Sequence, residues 1–86
     1  MIEANDNLLI LDVRTPEEYE NGHIEGAINI PHDTVLNQLE QIDISKNVLV
    51  YCGIGKRSAY ASDILSKEGY NIYNMYEGYN KYMGEN

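Results

Sequence analysis

The hydrophobic and polar positions of the chain form short apolar runs that alternate with segments of helical spacing. A continuous apolar run over residues 8–13 has the length of a strand that is covered on both faces. Further segments of strand character follow at residues 27–30, 48–51 and 72–76. Strands that alternate with helices predict an α/β fold, in which a mainly parallel sheet carries helices on both faces.

The first predicted helix has a well-defined beginning and end. Thr15 suits the cap position, Pro16 suits the first turn, and Glu18 lies three residues after the cap, as a capping box requires. Asn21 and Gly22 form a stop signal directly afterwards. This helix is therefore expected to be brief.

Two longer helices are predicted in the rest of the chain. Asp33 or Thr34 caps the first of them after Pro31. Its apolar residues recur at helical spacing on one face, namely Val35, Leu36, Leu39 and Ile42. The second covers residues 58–68, ends at Gly69 and turns Ala61, Ile64 and Leu65 inward. A short helix or turn is expected over residues 78–83.

Length and composition predict a single domain over residues 1–86. Residues 1–7 are expected to be poorly ordered or to form a short edge strand. The sheet is therefore expected to have four or five strands, and the protein to be a monomer. A net charge of −8 argues against nucleic acid and anionic membranes as partners. One cysteine excludes an internal disulfide and is too few for a zinc site, so no metal is expected. A reducing, cytoplasmic location is the default, since neither a leader nor a membrane-spanning run is recognisable.

The chemistry is expected at Cys52, which lies where a hydrophobic strand runs into a loop. Gly53 and Gly55 would allow the unusual dihedral angles of an anion-binding nest. Lys56 and Arg57 place two of the chain's six cations beside it, at the start of a helix. Helix dipole, amides and cations lower a cysteine pKa from about 8.5 to roughly 3.5–7.5. Cys52 is thus predicted to be a reactive nucleophile rather than a buried structural thiol.

Three other positions have two interpretations each. Asp12 and Arg14 end the first strand with side chains on one side, so they form a salt bridge that fixes the following loop, or Arg14 contacts substrate. His23 makes structural hydrogen bonds or acts as a general base, and the first is favoured in a short linker. The tyrosines at every third position of residues 70–82 are packing residues or an aromatic binding stripe, and the first is favoured because these side chains cannot all share one face.

Several motifs resemble those of a known family. Residues 12–19 (DVRTPEEY) and 22–31 (GHIEGAINIP) are similar to two signatures of the single-domain rhodaneses, the thiosulfate sulfurtransferases. Residues 51–58 (YCGIGKRS) resemble their active-site loop, and residues 77–82 (EGYNKY) resemble a weaker final signature. The resemblance covers residues 8–83, and it implies the rhodanese-like three-layer fold.

The resemblance implies sulfur transfer without a metal or an organic cofactor. Cys52 would take sulfur from a small anionic donor such as thiosulfate, become a persulfide, and pass the sulfur to cyanide, a thiol or a persulfide acceptor. Loop amides and the Arg57 side chain would stabilise the persulfide, and Ser58 would hold the loop. The substrate-binding residues implied in this way are Gly53, Ile54, Gly55, Lys56, Arg57 and Ser58, with Asp12 and Arg14 in support.

Loop length and two departures refine this expectation. Four residues separate Cys52 from Arg57, as in the sulfurtransferases, whereas the related dual-specificity phosphatases and arsenate reductases have a loop one residue longer. Gly53 stands where many thiosulfate-using relatives have arginine, so thiosulfate is expected to be a poor donor. Glu77 and Tyr82 also depart from the final signature. The sequence leaves open whether the chain is a turnover enzyme or a carrier that hands its persulfide to a partner protein.

Overall fold

The computed structural model describes residues 7–53 and 56–75. Its strands are β1 (Leu8–Asp12), β2 (Ile28–Asn29), β3 (Asn47–Tyr51) and β4 (Asn71–Asn74). Its helices are α1 (Pro16–Glu20), a 3₁₀ helix (Val35–Gln41) and α2 (Lys56–Lys67). The edge strand expected near the amino terminus, the helix expected over residues 78–83 and the tyrosines beyond Tyr73 lie outside the described residues.

The strands form a four-stranded sheet in the order β2-β1-β3-β4, and every pairing between them is parallel. Along the longest pairing, Leu8 lies opposite Asn47 and Asp12 lies opposite Tyr51. The chain leaves β1 in one direction to reach β2 and returns past it to form β3. A topological switch point therefore lies between the carboxyl ends of β1 and β3, where open α/β sheets bind ligands.

Each face of the sheet has its own apolar core. On one face, alternate residues of β1 and β3 pack against α2 and the 3₁₀ helix; the buried members include Leu11, Val48, Val50, Ala61 and Leu65. On the other face, Ile10 and Tyr51 pack with Ile24 and Ala27, and Tyr19 of α1 covers them. Helices thus flank a parallel sheet on both faces, which confirms the predicted three-layer α/β architecture.

The signals that predict α1 act as expected. The Glu18 amide donates to Thr15 Oγ1 at 3.2 Å, and the Thr15 amide donates back to Glu18 Oε1 at 3.0 Å. This reciprocal pair satisfies two backbone donors that the first helical turn leaves without partners. Pro16 occupies the first turn, and Gly22 follows the helix with a φ of +140°.

The amphipathic helix predicted after Pro31 is wrong in type. Residues Val35–Gln41 form a 3₁₀ helix that is interrupted at Gln38, whose φ is −129°. Leu36 is 55% exposed, although the sequence pattern places it on the inner face. Thr34 holds the cap position, but its hydroxyl donates to the Pro31 carbonyl instead of capping the helix. A 3₁₀ helix has three residues per turn, so apolar residues spaced for an α-helix do not share one face.

The other elements differ from their predicted bounds by a few residues. The helix predicted to begin at Ser58 begins two residues earlier, at Lys56, and the strand predicted over residues 27–30 has two residues. Gly69 ends α2 as predicted, with a φ of +95° that a side chain would disfavour. These shifts leave the order of the elements unchanged.

Candidate active site

The cysteine predicted as the nucleophile lies at the topological switch point. Cys52 follows the last residue of β3 and is fully buried on the face of the sheet that α2 covers. Its Sγ lies 3.7 Å from Ser58 Oγ, within hydrogen-bond range for sulfur. Ser58 belongs to the first turn of α2, so the sulfur lies beside the positive end of a twelve-residue helix.

A further polar side chain extends this contact to the neighbouring strand. The Ser58 hydroxyl donates to Asn74 Oδ1 at 2.9 Å. Asn74 is the last residue of β4, so the bond ties the start of α2 to the carboxyl end of a third strand. A chain of polar contacts therefore joins Cys52, Ser58 and Asn74. It lies at the carboxyl ends of the strands, where the switch point is.

The loop after Cys52 is described in part. Gly53 adopts a φ outside the left-handed region, so the unusual backbone angle predicted for this glycine is absent. A Cβ added at Gly53 would meet Arg57 Nη2 at 3.8 Å, an ordinary contact, so the Arg57 guanidinium lies directly above this part of the loop. Ile54 and Gly55, predicted to contribute amides, lie outside the described residues.

Arg57 reaches across the top of the sheet to α1. Its Nη1 donates to Glu18 Oε1 at 2.9 Å and its Nη2 donates to Glu18 Oε2 at 3.2 Å, a bidentate pair. Since α1 and α2 cover opposite faces, this ion pair joins the two outer layers across the switch point. The hydrogen bond from Arg57 lowers the pKa of Glu18 from its ordinary value of 4.5 to about 2, and that from Thr15 adds to the effect.

The stability of the protein is expected to depend on Glu18 in acid. A carboxyl with a lowered pKa stabilises the fold above its ordinary pKa of 4.5, and this contribution disappears as the pH falls towards 2. The Glu18 and Arg57 side chains are 40% and 29% exposed, so solvent screening limits the contribution to under about 1 kcal/mol. Urea unfolding of the wild type and Glu18→Gln should differ at pH 6, and the difference should shrink at pH 3 and disappear near pH 2. An equal difference at all three pH values would contradict this assignment.

Asp12 and Arg14 form the predicted salt bridge, with Arg14 Nη2 at 2.8 Å from Asp12 Oδ2. Both side chains are buried, and the Tyr51 hydroxyl donates to the same Asp12 oxygen at 2.8 Å. The Ile24 amide donates to the Tyr51 hydroxyl, and burial raises the pKa of Tyr51 above its ordinary value of 10.0. Since Asp12 and Tyr51 lie on the α1 face and Cys52 on the α2 face, this network positions the strand ends rather than contacting the sulfur.

His23 makes structural contacts. Its ring stacks on Tyr19 with centroids 3.7 Å apart, and its Nδ1 lies 2.7 Å from the Tyr19 carbonyl oxygen. Both contacts are within α1 and the turn that follows it. They fit the structural interpretation of this histidine rather than that of a general base.

A cavity of about 290 Å³ opens beside the first turn of α2. Its lining residues come from the segment after β2 and from α2, and they are His32, Asp33, Lys56, Arg57 and Tyr60.

The described residues contain no group of three His, Cys, Asp or Glu side chains arranged to hold a metal ion. Across residues 7–53 and 56–75, no helix is both long enough and apolar enough to cross a bilayer.

The structure adds three polar groups that the sequence pattern did not single out. Asn74 occupies the last position of a strand, and a polar residue at that end of a parallel strand is the one signal that could have found it. The sequence pattern places Glu18 in the capping box alone, and Tyr51 ends a strand that is otherwise apolar. Glu18 contacts Arg57, and Tyr51 contacts Asp12. Each contact spans 39 residues, and no local sequence pattern extends over that separation.

The fold and this arrangement define a doubly wound α/β protein with a buried cysteine at its switch point. The sequence profile of the Rhodanese-like domain family matches residues 1–85. The chain therefore belongs to the rhodanese-like domain family.

Individual proteins show the same similarity. The chain is 45% identical over 62 residues to PspE, a thiosulfate sulfurtransferase of Escherichia coli strain K12, an alignment that covers 70% of this chain and 60% of PspE. It is 31% identical over 85 residues to YrkF of Bacillus subtilis, a candidate sulfur carrier protein, covering 98% of this chain and 46% of YrkF. A crystal structure of a rhodanese-related protein from Thermoplasma volcanium superposes with a TM-score of 0.85 at 33% identity, over 91% of this chain and 78% of that one. The chain thus spans less than two thirds of either curated relative.

Proposed function

We propose that this domain is a sulfurtransferase that carries a sulfane sulfur on Cys52. The Cys52 thiolate attacks the outer sulfur of the donor, a new S–S bond forms, and the donor's own S–S bond breaks. With thiosulfate the leaving group is sulfite, and the enzyme is left as the Cys52 persulfide. An acceptor thiolate or cyanide then attacks the outer sulfur of that persulfide and releases the Cys52 thiolate unchanged.

The observation that carries this proposal is the placement of the Cys52 sulfur at the start of α2. The sulfur is buried, it lies 3.7 Å from the Ser58 hydroxyl oxygen, and the helix dipole favours negative charge there. Rotation of the Ser58 hydroxyl from Asn74 towards Cys52 would provide a hydrogen bond to a thiolate or a persulfide. The similarity to PspE, a thiosulfate sulfurtransferase, supports the same chemistry.

A second candidate function is a carrier that hands its persulfide to another protein without turnover on small molecules. It is favoured by the similarity to YrkF along 98% of this chain. The two functions share the Cys52 persulfide and differ in the acceptor. If the chain forms thiocyanate from cyanide over many turnovers, it is the enzyme. If each chain takes up one sulfur atom and releases it only to a protein thiol, it is the carrier.

Intact-protein mass spectrometry tests the shared step. The purified chain is incubated briefly with thiosulfate or with a polysulfide, and then with cyanide. We expect a gain of one sulfur atom, about 32 Da, that cyanide reverses. Because the chain has a single cysteine, such a reversible gain identifies its site directly. A thiol that is shown to be free and gains no sulfur from either donor would overturn the proposal.

A further inference from the structure

The Arg57 guanidinium above the loop is already bound by a carboxylate of the same chain. Both of its terminal nitrogens donate to Glu18, at 2.9 and 3.2 Å. Glu18 is itself fixed by the Thr15 amide at 3.0 Å and the Thr15 hydroxyl at 3.1 Å. This carboxylate is therefore held beside the Arg57 guanidinium by two sets of hydrogen bonds, and it does not depend on Arg57 alone for its position.

The consequence is that the surroundings of the Arg57 guanidinium carry little net positive charge. Glu18 is ionised at any pH at which a thiol reacts, since its pKa is about 2. The cavity beside it contains a second carboxylate, Asp33, together with Lys56 and Arg57. Two cations and two carboxylates therefore lie in or beside the cavity, and a doubly charged anion that binds Arg57 comes close to the carboxylate paired with it, Glu18.

The cavity is also close in size to pockets that bind small organic molecules. Its volume of about 290 Å³ lies at the lower end of their usual range of about 300–1,000 Å³. One wall is aromatic, because His32 and Tyr60 contact each other edge to face with centroids 5.7 Å apart. Tyr60 is 56% exposed and offers this ring to a ligand. Such a wall suits an organic group attached to the reacting sulfur.

From these contacts we infer that Glu18 is a specificity-determining residue, which makes the site select organic persulfides over thiosulfate as sulfur donors. This inference rests on the proposed function. Cys52 thiolate attacks the outer sulfur of R–S–SH, the S–S bond of the donor breaks, R–S⁻ leaves, and the proton remains on the transferred sulfur. The organic group R occupies the cavity, and no second negative charge has to be placed beside Glu18.

Glu18→Gln tests the inference. A glutamine keeps the capping-box geometry, because either side chain serves at that position, and it replaces the negative charge and one of the two acceptors for Arg57 with a neutral amide. The control is Glu17→Gln, which removes the same charge from an exposed neighbour on α1. The donors are thiosulfate and the hydropersulfide of N-acetylcysteine methyl ester, which has no other ionised group. For each variant, kcat/KM is measured with both donors at low and high salt.

We expect the wild type to prefer the persulfide. Glu18→Gln should move the ratio of the two kcat/KM values towards thiosulfate by about tenfold, the factor that 1.4 kcal/mol represents. This shift should shrink at high salt because the charges are partly exposed, and Glu17→Gln should leave the ratio unchanged. A purely structural role would change both rates together, so an unchanged ratio in Glu18→Gln would overturn the inference. Failure of the wild type to take sulfur from either donor would instead overturn the proposed function.

Discussion

Cys52→Ser is expected to abolish sulfur uptake and turnover. The serine oxygen cannot form the S–S bond on which the proposed cycle depends, and loss of a nucleophile lowers kcat by about 10⁶-fold in a well-studied protease. Turnover with thiosulfate or a persulfide should fall below detection, measured as thiocyanate formed from cyanide. The gain of one sulfur in the intact mass should be lost at the same time.

The fold should survive this substitution, which makes the result interpretable. Serine is slightly smaller than cysteine, so it fits the space that the Cys52 side chain occupies beside Ser58 Oγ. Urea unfolding of the variant should give the same slope as the wild type, because the same surface is exposed on unfolding. A folded Cys52→Ser protein that still transfers sulfur would exclude Cys52 as the carrier.

Asp12→Ala is expected to produce the largest loss of stability, about 3–5 kcal/mol, the cost of removing one partner from a buried ion pair. Asp12 accepts from the backbone and side chain of Arg14 and from the Tyr51 hydroxyl. Without the carboxylate, a guanidinium that is 5% exposed keeps its charge and loses its counter-ion. The free energy of unfolding in urea measures this effect.

Tyr51→Phe is the matched variant for this measurement. It removes the hydrogen bond from the hydroxyl to the same carboxylate, worth about 1.5–3 kcal/mol when the acceptor is charged, and it also removes the acceptor of the Ile24 amide, but it leaves the pair of Asp12 and Arg14 intact. The loss in Asp12→Ala should therefore exceed the loss in Tyr51→Phe. Equal losses in the two variants would mean that the hydroxyl, and not the ion pair, fixes the strand ends.

The order of the elements could be predicted from the sequence because each signal is local. The apolar run of β1 and the capping box of α1 depend on neighbours within a few residues, and both are confirmed. The sequence predicts an α-helix at the position of the 3₁₀ helix because apolar residues three apart share a face in both types of helix, and the exposure of Leu36 decides between them.

The candidate site was predictable in part for the same reason. Cys52, Lys56 and Arg57 are adjacent in sequence, so their shared neighbourhood follows from one strand and one helix. The partners Glu18 and Asn74 come from other elements, and their contacts depend on how the layers pack. Gly53 shows the opposite error, since a glycine in a loop was given a special backbone angle that the structure does not require.

The parallel pairing of β1 with β3 has a consequence for how the chain folds. Asp12 meets Tyr51 across 39 residues, and β2 and the 3₁₀ helix are connected within that span. The entropy of closing this span must be lost before the central pairing forms, so assembly of this strand pair should be slow compared with formation of α1. During synthesis, β1 cannot pair with β3 until β3 has left the ribosome. Burial of the Cys52 thiol and completion of the sheet's centre therefore belong to the same late event.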